Sequence, residues 1–523
     1  MNILKSILNK LGSTNKSSDI SSDSMTYSTS NNDKLSTSLQ INIALIKDIF
    51  SDISDITYKD LKINNSIEGT LIFLNNFIDK EIVTEDLLRP LLHFNKNNFQ
   101  SNDLRAENIH DYIKTTIFLP SVEENDLLNI IIDSILSGKV ALIIDGLSNA
   151  LLIELRKLSK RSISESIIEP VIRGPRDGFT EDIETNITLI RRRLKTPKLK
   201  VRSIKIGKLS QTDTAITYLD GIAEKSLVDD IMNKLSKIEI DAILESGYIE
   251  ELLQSSKFSV FSEFGYTERP DRLASALLEG HVGIIVDNTP IVLIAPQTFF
   301  QSMQSSEDYY QNYIATLLLR FIRYVFLINA LLLPSFYIAV LCFHQGMIPR
   351  NLLLTIIASR QGVPFPVLVE ALLMEGFFEG LREAGIRLPS PAGQTVSIVG
   401  ALVIGEAAVK AGIVSSSMVI IVSITGISSF IIPRYNLALS IRVLRFGIMI
   451  LSGTLGLYGL YMGVLFLLIH LAKIESFGTP YLSPLAPLTF TSLKDTLMRM
   501  PWWGVKKRPS YIQNNNLKRH KVK

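Results

Sequence analysis

Three long stretches without a formal charge, all in the second half of the chain, constrain its fold more than any other feature. They cover residues 324–343, 411–433 and 446–469. About 20 apolar residues at a rise of 1.5 Å each cross the hydrocarbon core of a bilayer, so each stretch is long enough to span one. No comparable run precedes Arg320. The sequence therefore predicts a membrane region that follows a large soluble region.

The charged residues are concentrated outside these stretches. The chain has 523 residues with 54 basic and 51 acidic side chains, a net charge of +3. This near balance argues against binding to nucleic acid. Seven Lys or Arg residues follow Trp503 without an acidic one, which favours a cytoplasmic C-terminal tail. The N-terminus lacks the continuous apolar segment of a secretory signal, so we expect the soluble region to be cytoplasmic as well.

These patterns predict a multidomain protein, with a cytoplasmic α/β (α+β) N-terminal region of two subdomains followed by an all-α polytopic membrane domain. We see no internal repeat of fixed period. The predicted segments are a disordered Ser/Asn-rich tail (1–38), a mainly helical subdomain (39–163), an α/β subdomain (164–310), a multispanning membrane domain (311–475) and a basic tail (476–523).

Apolar spacing assigns the elements of the soluble region. LQINIALIKDIF and GTLIFLNNFIDKEI have the three- and four-residue spacing of helices, and GKVALIIDG with NALLIEL predicts a β-hairpin turning at Asp145 and Gly146. In the second subdomain, clustered branched residues predict strands and amphipathic spacing predicts helices. The strands are VRSIKIGKL and GIIVDNTPIVLIAP, and the helices are SLVDDIMNKLSKI and RLASALLEG.

The sequence offers little for catalysis. The six histidines are far apart, and no HExxH, CxxC, GxxxxGK[ST] or GxSxG pattern occurs. Cys342 is the only cysteine, so an intrachain disulfide is impossible. We therefore predict no enzymatic activity, no metal and no cofactor.

Ionisable residues in the membrane region are the first candidates for function, because they are costly there unless they are paired or face water. Glu406 and Lys410 are four residues apart and can pair on one helix face. Glu375, Glu379 and Arg382 form one polar stripe. We predict a pore or gating role for Glu375, Glu379, Glu406 and Lys410; the alternative is that both sets are solvated faces at the headgroup boundary.

The topology is not settled by charge. A basic loop, RYNLALSIRVLR, and the C-terminal tail both favour the cytoplasm, yet three spans are an odd number. TVSIVGALVIGEAAV is a candidate fourth crossing, and a re-entrant segment after Phe446 is the alternative. Gly459 and Gly463 have the GxxxG spacing of closely packed helices, while Pro334 and the pair Pro364 and Pro366 are expected to kink or break helices.

A charged segment in the soluble region, EPVIRGPRDGFTEDIETNITLIRRRLK, is the second candidate. Its glycines and prolines predict a turn, and Thr180 is the expected N-cap of the following helix. The turn is either an anion-binding loop or an electrostatic seam between subdomains or subunits. We favour the seam, because acidic residues already supply counter-charges. The predicted seam residues are Arg173, Arg176, Asp177, Glu181, Arg269 and Asp271.

The same segment resembles the signature of the spore germination receptor A-subunit family, and the resemblance extends over residues 40–510. Further matching blocks, in the same order, are DAILESGYIEELL, YTERPDRLASALLEG, SSEDYYQNY, LLLPSFYIAV, LREAGIRLP, GQTVSIVGALVIGEAAVKAGIV, ESFGTPYLSPLAP and MPWWGVKKRP.

The resemblance implies a non-enzymatic component of the complex that detects nutrients in dormant spores, located in the spore inner membrane. It implies two partners, a transporter-like B subunit and a lipoprotein C subunit, and a homo-oligomeric ring of A subunits around an ion path. Two other readings are open. The first is a paralogous stage-five sporulation membrane protein that amplifies ion release. The second is a solute transporter with a site near Pro364.

Overall fold

The structure, a computed structural model, describes residues 34–63, 67–78, 80–92, 122–155, 165–166, 168–387, 405–510, 512 and 516–519. The chain divides into two compact units. The first contains Met1–Ser51 and Ile56–Lys157, and the second contains Asp52–Asp55 and Leu158–Lys523. Most of the predicted disordered tail, and residues 395–404 of the candidate fourth crossing, lie outside the described residues.

The first unit is built on a five-stranded antiparallel sheet with the strand order β1-β2-β4-β5-β3. Residues 80–92 add helical turns, partly of π-type. The named elements are α1 (Leu39–Ile49), β1 (Ile56–Ile63), β2 (Ile67–Leu74), β3 (Val122–Asn125), α2 (Leu128–Leu136), β4 (Lys139–Ile144) and β5 (Ala150–Glu154).

Two predictions for this unit are confirmed and two are wrong. Helix α1 and the β4–β5 hairpin, with its turn at Asp145 and Gly146, lie where the sequence places them. GTLIFLNNFIDKEI, predicted as a helix, instead begins with strand β2, which pairs with β1 and β4. Six consecutive residues of β2 are buried, and a continuous apolar run of that length fits a buried strand as well as a helix. The prediction of a mainly helical subdomain therefore fails for the described residues.

The second unit begins with an α/β region whose antiparallel sheet has the order β6-β7-β9-β10-β8. This is the order of the first sheet, strand for strand, so the two sheets share one topology. Its elements are α3 (Ile183–Arg193), β6 (Leu199–Ile206), β7 (Thr212–Leu219), α4 (Lys225–Ser236), α5 (Ser246–Leu253), β8 (Gly265–Thr267), α6 (Pro270–Glu279), β9 (Val282–Val286) and β10 (Val292–Ala295).

All four segments predicted in this region form the expected type of structure. They give five elements, because GIIVDNTPIVLIAP contains two strands: β6, β9, β10, α4 and α6. The predicted N-cap Thr180 is wrong by two residues. Asp182 is the N-cap of α3, because its carboxylate accepts a hydrogen bond from the Thr185 amide. The Thr180 amide instead donates to the Asn186 side chain.

A helical region follows. Helix α7 runs through Pro334 without a break, while Pro364 and Pro366 lie in the connection between α8 and α9. The helices are α7 (Tyr313–Phe343), α8 (Arg350–Arg360), α9 (Val367–Arg387), α10 (Ser416–Ile431), α11 (Tyr435–Leu455) and α12 (Leu457–Lys473). Two short strands, β11 (Glu475–Ser476) and β12 (Thr479–Pro480), come after them.

The third uncharged stretch, residues 446–469, is not one straight span. It contains the end of α11 and the start of α12, which are separated by Gly456 at a φ of +63°. This left-handed conformation is open to glycine at little cost and reverses the chain. Ile432 and Ile474, at the outer ends of the two helices, belong to the same apolar cluster. The hairpin therefore brings the residues before α11 and after α12 to one end of the helical region.

The predicted GxxxG packing is confirmed inside this hairpin. Gly459 and Gly463 are buried. A Cβ atom at Gly459 would come within 2.0 Å of the Leu451 carbonyl oxygen, and one at Gly463 within 3.2 Å of Ile448. The two glycines of α12 thus allow close approach to α11.

Gly459→Ala is expected to lower the free energy of unfolding by about 1–3 kcal/mol, because the two helices must move apart. Thermal unfolding of the detergent-solubilised chain measures the effect. Gly447→Ala is the matched control, since nothing lies within 4 Å of a Cβ atom there. It should be neutral or stabilise by up to about 1 kcal/mol through helix propensity. Equal stability of the two variants would show that α11 and α12 do not touch at Gly459.

Candidate functional site

Helices α9 and α11 bring buried charges of opposite sign together. The Arg445 Nη2 atom lies 2.9 Å from Glu375 Oε2, and neither side chain is exposed. The same nitrogen lies 3.3 Å from Glu379 Oε1, and Arg442 Nη1 lies 3.0 Å from Glu379 Oε2. With Arg382, these residues form what we call the helix charge cluster: Glu375, Glu379, Arg382, Arg442 and Arg445.

Arg382 extends the cluster to α10. One guanidinium nitrogen lies 3.2 Å from Glu379 Oε1 and another donates to Ser429 Oγ at 2.6 Å. The guanidinium carbon lies 4.5 Å from the ring centroid of Phe430 and 4.9 Å from that of Phe378. Such stacking is typical of arginine, whose planar group is weakly hydrated. Arg382 therefore fixes α9 against α10.

The cluster is not balanced. It contains three arginines and two glutamates, an excess of one positive charge. The Nε atoms of Arg382 and Arg445 and the Nη1 atom of Arg445 are buried without a hydrogen-bond partner among the described residues. Buried charges are costly to desolvate, and this cost is offset only when charges are paired and hydrogen-bonded. A cluster of this kind is weak support for stability and is typical of a functional position.

The structure changes the interpretation of the predicted membrane residues. Glu375 and Glu379 do lie on one face, but Glu375 is fully buried, so that face is not solvated at this position. Arg442 and Arg445 belong to helix α11 rather than to the predicted basic loop. Their burial is compatible with their charge because they pair with Glu375 and Glu379.

Glu406 and Lys410 lie apart from this cluster. Their side chains pair at 2.6 Å, as predicted, but are 58% and 75% exposed. No ion pair among the described residues joins them to α9 or α11. A role for them in a pore stays a prediction.

A further buried carboxylate, Glu370, was missed from the sequence. Its Oε1 atom accepts hydrogen bonds from the amide and the hydroxyl of Ser415, both at 2.6 Å. Arg360 Nε lies 3.3 Å from Oε2. Glu370 thus connects α8, α9 and the N-cap of α10. The sequence signal was an acidic residue in the first turn of an apolar helix.

A second cluster joins the α/β region to the helical region. Glu169 Oε1 lies 2.9 Å from Arg272 Nη1 and also contacts Arg434, the residue before α11. Glu169 Oε2 accepts a hydrogen bond from Thr267 Oγ1 at 2.6 Å. We call Glu169, Arg272 and Arg434 the junction cluster. Burial lowers the pKa of the Arg272 guanidinium to about 9, so it still carries its charge at neutral pH.

Two predicted seam residues, Arg269 and Asp271, lie beside this cluster. Arg269 is buried and donates two hydrogen bonds to the Asp271 carboxylate, at 3.1 and 2.8 Å. It also donates to the carbonyls of Glu169 and Pro175. Burial, followed by the hydrogen bond to Asp271, raises the pKa of Tyr310 well above its ordinary value. Tyr310 therefore remains a donor to Asp271, and the charged loop is held against α6.

The other four seam residues have different surroundings. Asp177 contacts Arg193 of α3 at 2.5 Å. Arg173, Arg176 and Glu181 are exposed, and Arg176 forms an exposed ion pair with Glu165. Within this unit Arg269, Asp271 and Asp177 hold the charged loop to α3 and α6. A seam between subdomains or subunits stays a prediction.

The start of helix α7 is held by another buried network. Arg320 is fully buried, and its guanidinium lies 3.2 Å from Asp308 and 2.7 Å from the Asp495 carbonyl oxygen. Arg323 lies 2.8 Å from the same Asp308 oxygen. Asp308 belongs to the connection that follows β10, and Asp495 to the C-terminal segment. Three parts of the chain therefore meet at α7.

The comparison with known proteins identifies the family. The family model described as "Bacillus/Clostridium GerA spore germination protein" matches residues 44–511. The chain belongs to this family.

Curated relatives cover almost the whole chain. It is 43% identical to the "Uncharacterized membrane protein YfkQ" of Bacillus subtilis, over 92% of this chain and 93% of the relative. It is 42% identical to "Spore germination protein KA" of the same organism, over 92% and 88%. It is 38% identical to "Spore germination protein GerLA" of Bacillus cereus, over 90% and 95%.

A solved structure is also similar, that of the N-terminal domain of the A subunit of the Bacillus megaterium spore germinant receptor GerK3. The identity is 34% and the TM-score 0.41, over 52% of this chain and 99% of the solved one.

Proposed function

We propose that the chain is the A subunit of a spore nutrient-germinant receptor and that its helical region forms part of an ion path that opens when a nutrient is detected. Membership in the family and relatives named as spore germination proteins support a role in germination. The proposal places the chain in the spore inner membrane, with its α/β regions in the cytoplasm.

The apolar helices support a location in the membrane. Among the described residues, α7 and α11 are long and apolar enough to cross a bilayer, with mean hydropathies of 2.3 and 1.5. The shorter helices α10 and α12 are apolar as well. Large apolar side chains of α7 remain exposed, among them Phe321 (62%), Ile328 (57%) and Phe336 (46%). A water-soluble protein rarely leaves such a surface uncovered, and lipid would cover it here.

The helix charge cluster is the single observation that carries the ion path. Charged side chains inside a membrane region are rare, because their desolvation is costly even when they are paired, and they commonly mark ion or substrate pathways. Five such side chains meet between α9, α10 and α11. We infer that the helix charge cluster lines the ion path or controls its opening.

Assembly completes the proposal. A ring of identical A subunits would use one heterologous contact repeatedly and enclose the path on its axis. A transporter-like B subunit would take up the nutrient, and a lipoprotein C subunit would complete the receptor. The chain itself would need no cofactor and perform no catalysis.

Glu379→Gln tests the ion path. Without this carboxylate, three arginines face Glu375 alone, and the added positive charge repels cations. We expect the initial rate of potassium release from nutrient-treated spores to fall about tenfold, the effect of roughly 1.4 kcal/mol. Glu383→Gln is the matched control, because Glu383 is exposed on the same helix and pairs with Arg387. It should release potassium as the wild type does.

Glu375→Gln and Glu406→Gln extend the test to the other predicted positions. If all three variants germinate and release potassium at the wild-type rate, these carboxylates do not belong to the path. Immunoblots of spore membranes establish that each variant is present in normal amounts.

A further inference from the structure

A cavity of about 600 Å³ lies between the junction cluster and the helix charge cluster. It is lined by residues of both clusters and by side chains of the α/β region. The charged side chains on its wall are Glu169, Arg269, Arg382, Arg434 and Arg442. Four of these five are arginines, so the wall is strongly cationic.

The ion pairs of the two clusters do not offset this charge. Glu169 is shared by two arginines, and Glu375 and Glu379 are shared by three. Five arginines thus face three glutamates, an excess of two positive charges. Arg269 is already balanced by Asp271. An uncompensated buried charge costs several kcal/mol, so a group that supplies two negative charges would stabilise the cavity.

The segments that flank the clusters in the sequence supply no carboxylate. Residues 156–164 and 388–404, which flank the cluster segments, contain no Asp or Glu. Glu307 lies beside the cavity-lining Ser306 and accepts a hydrogen bond from the Ile172 amide. The described residues include no ion pair between Glu307 and either cluster. Glu268 accepts hydrogen bonds from Ser166 Oγ and from the Ile168 amide. Neither Glu268 nor Glu307 lines the cavity, so the wall itself keeps four arginines against one glutamate.

Unused hydrogen-bond donors on the cavity wall also favour an anionic ligand. The Nε atoms of Arg382 and Arg434 are buried without a partner among the described residues, and both arginines line the cavity. The hydroxyl-bearing residues Ser305, Ser306 and Tyr435 line it too. Arginine forks with adjacent hydroxyl groups are the arrangement that recognises phosphate oxygens.

We propose that this cavity binds the phosphate group of an anionic ligand. A phosphate monoester carries close to two negative charges at neutral pH, which matches the excess, whereas a carboxylate carries one. The phosphate belongs either to a lipid headgroup or to a soluble phosphorylated compound. Since Arg434 and Arg382 reach the cavity from the two clusters, a bound phosphate would link the α/β region to the helices that carry the charge cluster.

Inorganic phosphate is the probe. The full chain, stripped of lipid in a phosphate-free detergent, is titrated with phosphate at constant ionic strength while its Tm is measured. We expect a saturable rise. Arg434→Gln should raise the apparent Kd at least about tenfold, since hydrogen bonds to charged groups contribute about 1.5–3 kcal/mol. Arg176→Gln, an exposed arginine away from the cavity, should leave the Kd unchanged.

Glu379→Gln keeps the test decisive if the Arg434 variant folds poorly. It removes a negative charge beside the cavity, so the apparent Kd should fall about threefold, opposite to the effect of a damaged fold. The proposal is overturned if the wild type shows no saturable rise in Tm with phosphate. The same holds if the response is absent because a carboxylate from another copy of the chain occupies the cavity in an oligomer. It is also overturned if Arg434→Gln and Glu379→Gln respond like the wild type. Binding is measured without any ion flux, so a failed ion path would not alter it.

Nanodiscs separate the two sources of phosphate. The same titration is performed in phosphatidylcholine alone and in phosphatidylcholine with phosphatidic acid, whose headgroup is a phosphate monoester. If the anionic lipid abolishes the response to inorganic phosphate, a lipid headgroup occupies the site. An equal response in both membranes assigns the site to a soluble phosphate compound.

Discussion

Replacing Arg445 with methionine is expected to lower the free energy of unfolding by about 3–5 kcal/mol, because it leaves Glu375 buried without a counter-charge. Both side chains are fully buried, so water cannot take over the role of the lost partner. Glu379 keeps Arg382 and Arg442 as partners, and the loss therefore falls on Glu375. Denaturant titration of the purified chain in detergent measures it.

A double variant distinguishes the effect of charge in the Glu375–Arg445 ion pair from the effect of packing around it. Glu375→Met with Arg445→Met replaces both charges by apolar side chains of similar size and should recover stability to within about 1 kcal/mol of the wild type. Arg387→Met is the matched control, since its ion pair with Glu383 is exposed and such pairs contribute at most about 1 kcal/mol. A double variant as unstable as Arg445→Met alone would mean that packing, rather than charge, explains the effect.

The sequence identified the polar residues of α9 but not their partners. Glu375, Glu379 and Arg382 were recognisable from their spacing, because three- and four-residue intervals place them on one helix face. Their contacts with Arg442 and Arg445 depend on how α9 packs against α11, which no local pattern encodes. Because the sequence does not show that the two glutamates face Arg442 and Arg445, the segment that contains these arginines was predicted as a basic loop.

The shared topology of the two sheets was also missed. When the sequences of equivalent strands in the two sheets are aligned, GKVALIID at β4 corresponds to GHVGIIVD at β9. In both cases the segment follows a helix and opens the central hairpin. The resemblance is short and lies far apart in the chain, so it produces no regular period of the kind that reveals repeat proteins.

Local chemistry predicted much of the two α/β regions well. Hairpin β4–β5 and helix α6 follow from a turn dipeptide and from amphipathic spacing. A continuous apolar run that is compatible with two structures led to a wrong prediction twice. One case is strand β2, and the other is the stretch of residues 446–469 in the helical region. Gly456 decides the second case through its backbone conformation.

At the start of α7, Asp308→Ala should lower the free energy of unfolding by about 3 kcal/mol. Asp308 is 1% exposed and contacts both Arg320 and Arg323. Arg320 retains the Asp495 carbonyl and carboxylate, which places the cost at the lower end of the range for a broken buried pair. Asp213→Ala, at an exposed pair with Lys205, is the matched control and should cost less than about 1 kcal/mol.

Asp308 has a second role that the experiment must separate from the first. Its side chain also accepts a hydrogen bond from the Ser305 amide in a capping box. Asp308→Asn preserves an acceptor for that amide but removes the negative charge that Arg320 and Arg323 share. If the ion pairs hold α7 to the preceding connection, the asparagine variant should lose most of the stability that the alanine variant loses. Wild-type stability of Asp308→Asn would assign the loss to the cap, which contributes about 1 kcal/mol, and would leave α7 anchored mainly through Asp495.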